Sequence, residues 1–218
     1  MDIKKHSYLL ELFVVFVGLS LAFTLDRVWD NHKKSVAEEN YLNGFYKDIT
    51  VDYTDLDTTV AENQAKLDRL RAILRKTDKN GIPEDSLLPL AGLMAAQSKF
   101  IPQRITYETL KASGGFDIIS NYKLRQNIAK LYTKYDSMVF IEESFNKYIA
   151  ESVFPFLQTN FDFINNSVVD KNLSKSPELK NILIFYYSFF KARLENQKQV
   201  KDITEEVLGQ LKNELVTG

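Results

Sequence analysis

Asn121 to Ile149 reads NYKLRQNIAKLYTKYDSMVFIEESFNKYI. Its apolar members Leu124, Ile128, Leu131, Tyr135, Met138, Phe145 and Ile149 recur at threes, fours and one seven, a period of about 3.5 residues, that of a helix whose buried seam faces another helix. Ser120 or Asn121 is placed to cap its start. Pro155 should kink or end it, because the ring meets the preceding turn and has no amide hydrogen to donate. A helix of this kind needs partners, and the chain on either side offers them.

Downstream, Ser176-Pro177-Glu178 combines a capping hydroxyl, a proline suited to the first turn and a carboxylate at the positive end of the helix dipole. Leu179, Leu183, Tyr186, Phe190, Leu194, Val200, Val207, Leu211 and Leu215 then supply a second buried face. Upstream, Val36, Phe45, Ile49, Leu56, Val60, Leu67, Leu70 and Leu74 form a third stripe with charged residues opposite. Lys79-Asn80-Gly81-Ile82-Pro83 closes that helix, since Gly permits a left-handed residue and Pro cannot continue the ladder. Shorter helices are expected over residues 85 to 97, capped by Asp85 or Ser86, and from Thr106 as cap to Ser113, closed by Gly114-Gly115. Residues 78 to 84 and 165 to 175 read as linkers. The economical architecture is all-α, an antiparallel bundle of long amphipathic helices in one domain.

The composition agrees with a folded chain: 218 residues, 44% hydrophobic and 26% charged. Lys plus Arg total 28 against 29 for Asp plus Glu, so there is no electrostatic footprint for nucleic acid, and none is expected as a partner. The absence of Cys excludes thiol nucleophiles and Cys-rich metal sites. Eight Gly and five Pro are few for a turn-rich β-sandwich.

The mildly negative mean hydropathy conceals one strongly apolar run. Leu9 to Leu25 reads LLELFVVFVGLSLAFTL, with Glu11 the only charge among 17 residues. With its flanks it approaches the roughly 30 Å of a bilayer core. Arg27 and Trp29 follow, residue types that settle at the headgroup level. A cleaved signal peptide and a buried core helix compete with this reading, but Glu11 weakens the first and the all-round apolarity weakens the second. The preferred expectation is an N-terminal transmembrane helix over residues 9–29, a short cytoplasmic tail at 1–8 and an extracytoplasmic helical domain at 30–218. Gly18 and Ala22 share one face at a spacing that allows close contact between two spans, so a homo-oligomer or an envelope protein partner is expected alongside membrane lipid.

Catalytic constellations are missing from the sequence. His6 and His32 make no metal-binding pair and no Ser–His–Asp set, and no Walker, dinucleotide or nucleophile-elbow pattern occurs. Neither a cofactor nor an enzymatic activity is expected. Acid pairs such as Glu142-Glu143 read as solvated helix faces. The aromatic runs, Phe154 to Phe163 and ILIFYYSFF from Ile182 to Phe190, read as dense core, with a lipid or ligand pocket as the functional alternative.

Two regions carry a family resemblance. Tyr8-Leu9-Leu10-Glu11, Gly18, Asp26-Arg27-Val28-Trp29-Asp30 and, a little later, Tyr41-Leu42 with Asp48 form the first; Thr106-Tyr107-Glu108-Thr109-Leu110-Lys111-Ala112-Ser113-Gly114 with Ile119, Asn121, Leu124, Arg125 and Leu131-Tyr132 form the second. Together they resemble a family of uncharacterised single-pass bacterial membrane proteins that bears a domain-of-unknown-function label. The family's usual second Ser is Ala112 here, and its usual aliphatic residue is Phe116. The resemblance implies a bacterial, membrane-anchored helical protein and transfers no activity; with the basic tail of Lys4 and Lys5 placed in the cytoplasm, the expected location is the inner membrane with the C-terminal domain in the periplasm. It singles out Thr106, Tyr107, Leu110, Ser113, Gly114, Asn121, Leu124 and Arg125 as either a sharp structural bend or a recognition surface in which Arg125 meets a carboxylate or phosphate.

Overall fold

The computed structural model describes residues 3–217, with side chains from 13 to 216. The chain is 83% helical. Three long helices make the body: α1 (Ile3–Lys76), α4 (Tyr122–Tyr148) and α6 (Pro177–Thr217). Between them lie α2 (Glu84–Ala95), α3 (Ile105–Ala112) and α5 (Phe154–Asn160).

Helix α6 runs antiparallel to both of its long neighbours. Against α1, Arg71 donates to the Tyr187 hydroxyl at 3.0 Å, Lys198 to Gln64 at 2.8 Å, and Lys201 reaches Asp57. Against α4, Tyr148 donates to the Ile182 carbonyl at 3.2 Å and Asn127 to Gln210 at 2.9 Å. The stripes read from the sequence meet along these seams, so the apolar spacing accounts for the bundle. Val36 is the exception: it is exposed, because it lies where α6 no longer covers α1.

Two apolar cores are stacked along the bundle. One joins Leu67 and Leu70 to Leu90 and Met94 of α2 and to Phe145, Leu183 and Tyr186. The other joins Phe45 and Ile49 to Leu110 of α3 and to Leu124, Ile128, Tyr132, Val207 and Leu211. Each buries several large side chains that alone are worth about 1.5–3 kcal/mol apiece.

Local departures from the expected caps have physical causes. Asn121 caps α4 as expected, its Oδ1 accepting from the Leu124 amide at 3.1 Å. Ser176 does the same for α6 through the Leu179 amide. Thr106, however, sits inside α3, whose first residue follows Arg104; its amide donates to Asp48 of α1 at 3.1 Å. Helix α2 starts after Pro83, with neither Asp85 nor Ser86 as its cap. At the far end of α4 the ladder widens to π-helical pitch over Ile149–Val153 and resumes as α5. That wide turn absorbs Pro155, whose missing donor and bulky ring a regular helix would not tolerate.

The stretch expected to be a linker, residues 165 to 175, carries the second strand of a two-stranded antiparallel hairpin, β1 (Phe161–Asp162) with β2 (Ser167–Val168). Asn166 takes a positive φ of 49° in its turn, a conformation that Asn tolerates better than most residues. Gly81, at φ 110°, lets the α1–α2 turn press against the Ser174 carbonyl just before α6, where the Ile82 amide donates at 2.9 Å.

At its N-terminal end α1 projects well past the bundle. The helix is 74 residues long, roughly 110 Å. Every described side chain from Phe13 to Val36 is exposed. Of the expected span, the side chains of Leu9 and Glu11 lie outside the described residues. Among the described residues no helix is long and apolar enough to cross a membrane; the described part of the run ends at Leu25, where Asp26 and Arg27 follow.

Candidate functional site

The centre of the bundle is polar. At matching levels all three long helices replace an apolar stripe residue with a hydrogen-bonding one: Asp52, Thr59 and Asn63 on α1, Glu142 on α4, Gln197 and Thr204 on α6, all buried. Groups this deep must find partners or be strongly destabilising.

Three of them, Asn63, Glu142 and Gln197, close a ring with Ser98 and Arg193. Ser98 donates to Asn63 Oδ1 at 2.9 Å and Asn63 Nδ2 donates to Gln197 Oε1 at 2.9 Å. Gln197 Nε2 donates to Glu142 Oε1 at 2.6 Å, and Arg193 Nε donates to the same oxygen at 2.8 Å. Arg193 Nη2 then returns to the Ser98 carbonyl at 2.6 Å and lies 2.6 Å from Glu142 Oε2. Arg193 and Glu142 are each only 2% exposed. The guanidinium also faces the rings of Phe145 and Phe190, whose π clouds favour a cation. The expectation that Glu142-Glu143 is a solvated pair therefore holds only for Glu143: Glu142 occupies the stripe position between Met138 and Phe145. Its i+3 and i−4 spacing to those residues was the available signal.

Asp52 is a second buried carboxyl. Oδ1 accepts from the Gln103 amide at 2.7 Å, while Oδ2 has no hydrogen-bond partner among the described residues. Burial pushes its pKa up to about 7, with the Gln103 amide pulling the other way and Asp48 and Asp55 adding to the rise. The same burial pushes the neighbouring Tyr132 and Tyr135 phenols up.

Two grooves open on the bundle, the first beside these groups. One, of about 340 Å³, runs between α1 and the segment after α2 and is lined by Glu62, Asn63, Lys66, Arg69, Gln97 and Ser98, among others. Lys66 lies half-buried in it, donating to the Ala96 carbonyl, with Nζ 4.8 Å from the Phe190 ring centre and 5.4 Å from that of Tyr186. The other, of about 840 Å³, lies at the far end of the bundle between the two aromatic runs, where Tyr148, Pro155, Phe156, Ile182 and Phe185 line it. The aromatic runs are thus only partly core. Tyr186, Phe190, Phe156 and Phe161 are buried, whereas Phe185 is 67% exposed and Phe154, Phe163 and Ile184 also face outward.

The residues singled out from Thr106 to Arg125 come together as a buckle against α1, α4 and α6. Tyr107 stacks on Tyr132 with ring centres 4.0 Å apart and meets Phe116 edge-on. Leu110 and Leu124 are buried, and Ser113 donates to the Leu110 carbonyl at 2.8 Å. Gly114 closes α3 at φ 67°. Asn121 adds a bond to Glu214 at 2.7 Å. Arg125 is held by Asp117 and the Phe116 carbonyl and lies over the Tyr122 ring. Thr106 and Gly114 serve the bend through their backbone, the others through their side chains. The residues expected to form an anchor, Gly18, Ala22, Leu25, Arg27 and Trp29, are all exposed on the projecting part of α1, and a Cβ added at Gly18 would meet nothing within 4 Å.

Neither the family models, nor the curated proteins, nor the solved structures contain a match to this chain.

Proposed function

We propose that this chain is a non-enzymatic, membrane-anchored helical scaffold or adaptor of the bacterial envelope. In this reading residues 9–29 cross the inner membrane and residues 30–218 stand in the periplasm. One observation carries it: from Phe13 to Trp29 apolar side chains cover all faces of α1, and none packs on the rest of the chain. An isolated helix with that surface is stabilised in water by neither propensity nor packing, whereas a bilayer supplies the missing burial. The remainder of the run, back to Leu9, gives a length suited to the hydrocarbon core.

The rigid continuation of α1 into a bundle about 60 Å long, judged from α6, favours a spacer or docking post over a catalyst. Gly18 and Ala22 leave one face of α1 open to a second span. Cross-linking in native membranes, followed by mass measurement in mild detergent, tests the scaffold: higher-order species containing a second copy or an envelope protein are expected, and monomers alone contradict it. The distal aromatic groove favours a second reading, a membrane-anchored lipid- or ligand-binding sensor. Lipid co-purifying with the full chain, and lost on Phe185→Ser substitution, would favour that alternative.

A further inference from the structure

Lys66 and Arg69 line the same 340 Å³ groove. Among the described residues, neither has a carboxylate within ion-pair distance. Lys66 is surrounded instead by a carbonyl, two ring faces and a like charge on Arg193, whose own carboxylate partner is buried behind it. A half-buried ammonium without a counter-charge is an electrostatic deficit that a bound anion would offset. The lining also offers neutral hydrogen-bonding groups, Asn63, Gln97 and Ser98, with Leu93 as an apolar wall. Glu62, the only acid in the lining, limits how many negative charges the groove accepts.

We propose that this groove binds a small, soluble oxyanion, the carboxylate or phosphoryl group of a metabolite-sized ligand, between Lys66 and Arg69. Its volume lies at the lower end of the range for ligand pockets. Lys66 stands roughly 55 Å along α1 from Trp29, so a headgroup of a bilayer located at Trp29 does not reach it. The ligand would also touch the ring of buried hydrogen bonds, because Ser98 and Asn63 belong to both.

Burial, reinforced by Arg193, lowers the Lys66 ammonium to about 8. The other titratable groups facing it are Arg69 and Glu62 from α1 and Tyr186 from α6. An anion beside Lys66 favours its protonated form, so binding just above pH 8 takes up a proton.

The test is calorimetric titration of the full chain in mild detergent with inorganic phosphate and with succinate, in two buffers of different ionisation enthalpy. Saturable binding of at least one probe is expected, with a Kd below about 1 mM and proton uptake near pH 8.5. Lys66→Gln should weaken it at least about tenfold and Arg69→Gln several-fold, while Lys66→Arg retains binding and Lys191→Gln changes nothing. The probe that binds identifies the oxyanion class. Absence of saturable heat with both probes, or undiminished binding by a folded Lys66→Gln variant, overturns the proposal. Should Lys66→Gln not fold, ¹³C-methylation of the parent chain's lysines gives a second reading: an anion-dependent rise of the Lys66 pKa supports the site, and an unmoved resonance overturns it.

Discussion

Arg193 of α6 and Glu142 of α4 form an ion pair 2.6 Å apart at the level where the two apolar cores of the bundle meet. Both groups are removed from water, so their attraction is largely spent on offsetting desolvation, and the bonds from Gln197 and to Ser98 complete the compensation. Removing one partner leaves the other charged and buried. Arg193→Met should therefore cost about 3–5 kcal/mol in urea unfolding of the full chain in mild detergent. The double variant Arg193→Met/Glu142→Leu should recover much of that loss, since no orphaned charge remains. A double variant as unstable as the single one would show that the ring is needed for more than charge balance.

Asp52 makes stability depend on pH in a stated direction. Its folded pKa, about 7, lies above the ordinary aspartate value of 3.8, so between those values the folded state holds a proton that the unfolded chain has released. Stability falls as pH rises through this window and levels off above it. Asp52→Asn keeps an oxygen for the Gln103 amide and removes the ionisation. It should flatten the profile and raise stability at pH 8 by on the order of 2 kcal/mol. An unchanged slope between pH 4 and pH 7 would assign the dependence elsewhere.

Two glycines should respond in opposite ways to alanine. At Gly81, with φ 110°, a Cβ would sit 2.3 Å from the Ser174 carbonyl oxygen, and the turn would have to open. Gly81→Ala should cost at least about 2 kcal/mol. Gly209 lies within α6 with nothing within 4 Å of a Cβ, so Gly209→Ala should stabilise by about 0.5–1 kcal/mol. Thermal unfolding of the two variants side by side checks both signs.

At the buckle, Asn121→Ala removes a helix cap together with the bond to Glu214 and should cost about 1 kcal/mol. Arg125→Ala removes the contacts to Asp117 and Phe116 and should cost about 0.5–1 kcal/mol. If the bend is structural, partner recovery from membranes follows stability in both variants. Recovery lost in Arg125→Ala at unchanged stability would instead make the segment a recognition surface.

Periodicity made the long helices legible, because an apolar residue every third or fourth position has one geometric interpretation on a helix. The same stripes contained the polar layer as interruptions. Asp52, Thr59 and Asn63 fall in register on α1, Glu142 on α4, and Gln197 and Thr204 on α6. Only when the three stripes are aligned do the interruptions at Asn63, Glu142 and Gln197 fall at one level. Arg193 is an interruption of the same kind, three residues after Phe190 and four before Gln197, but the apolar Leu194 beside it masks the signal, and the rings of Phe145 and Phe190 cover its guanidinium. The start of α3 was missed for a related reason. Asp48 satisfies the Thr106 amide from another helix, and local sequence rules see only neighbours along the chain. The hairpin between Phe161 and Val168 has strands of two residues, too short for any period to register.

The central claim, that α1 enters a bilayer, is tested most directly at Trp29, the single tryptophan of the chain. Its ring is 59% exposed, with Lys33 5.6 Å from its centre. Fluorescence of the full chain reconstituted into vesicles reads the environment of that ring without labelling. A membrane-anchored α1 predicts blue-shifted emission, quenched most strongly by lipids brominated close to the headgroup and weakly by those brominated at the chain ends. Emission at the wavelength of water-exposed tryptophan, unquenched by either lipid, would contradict it.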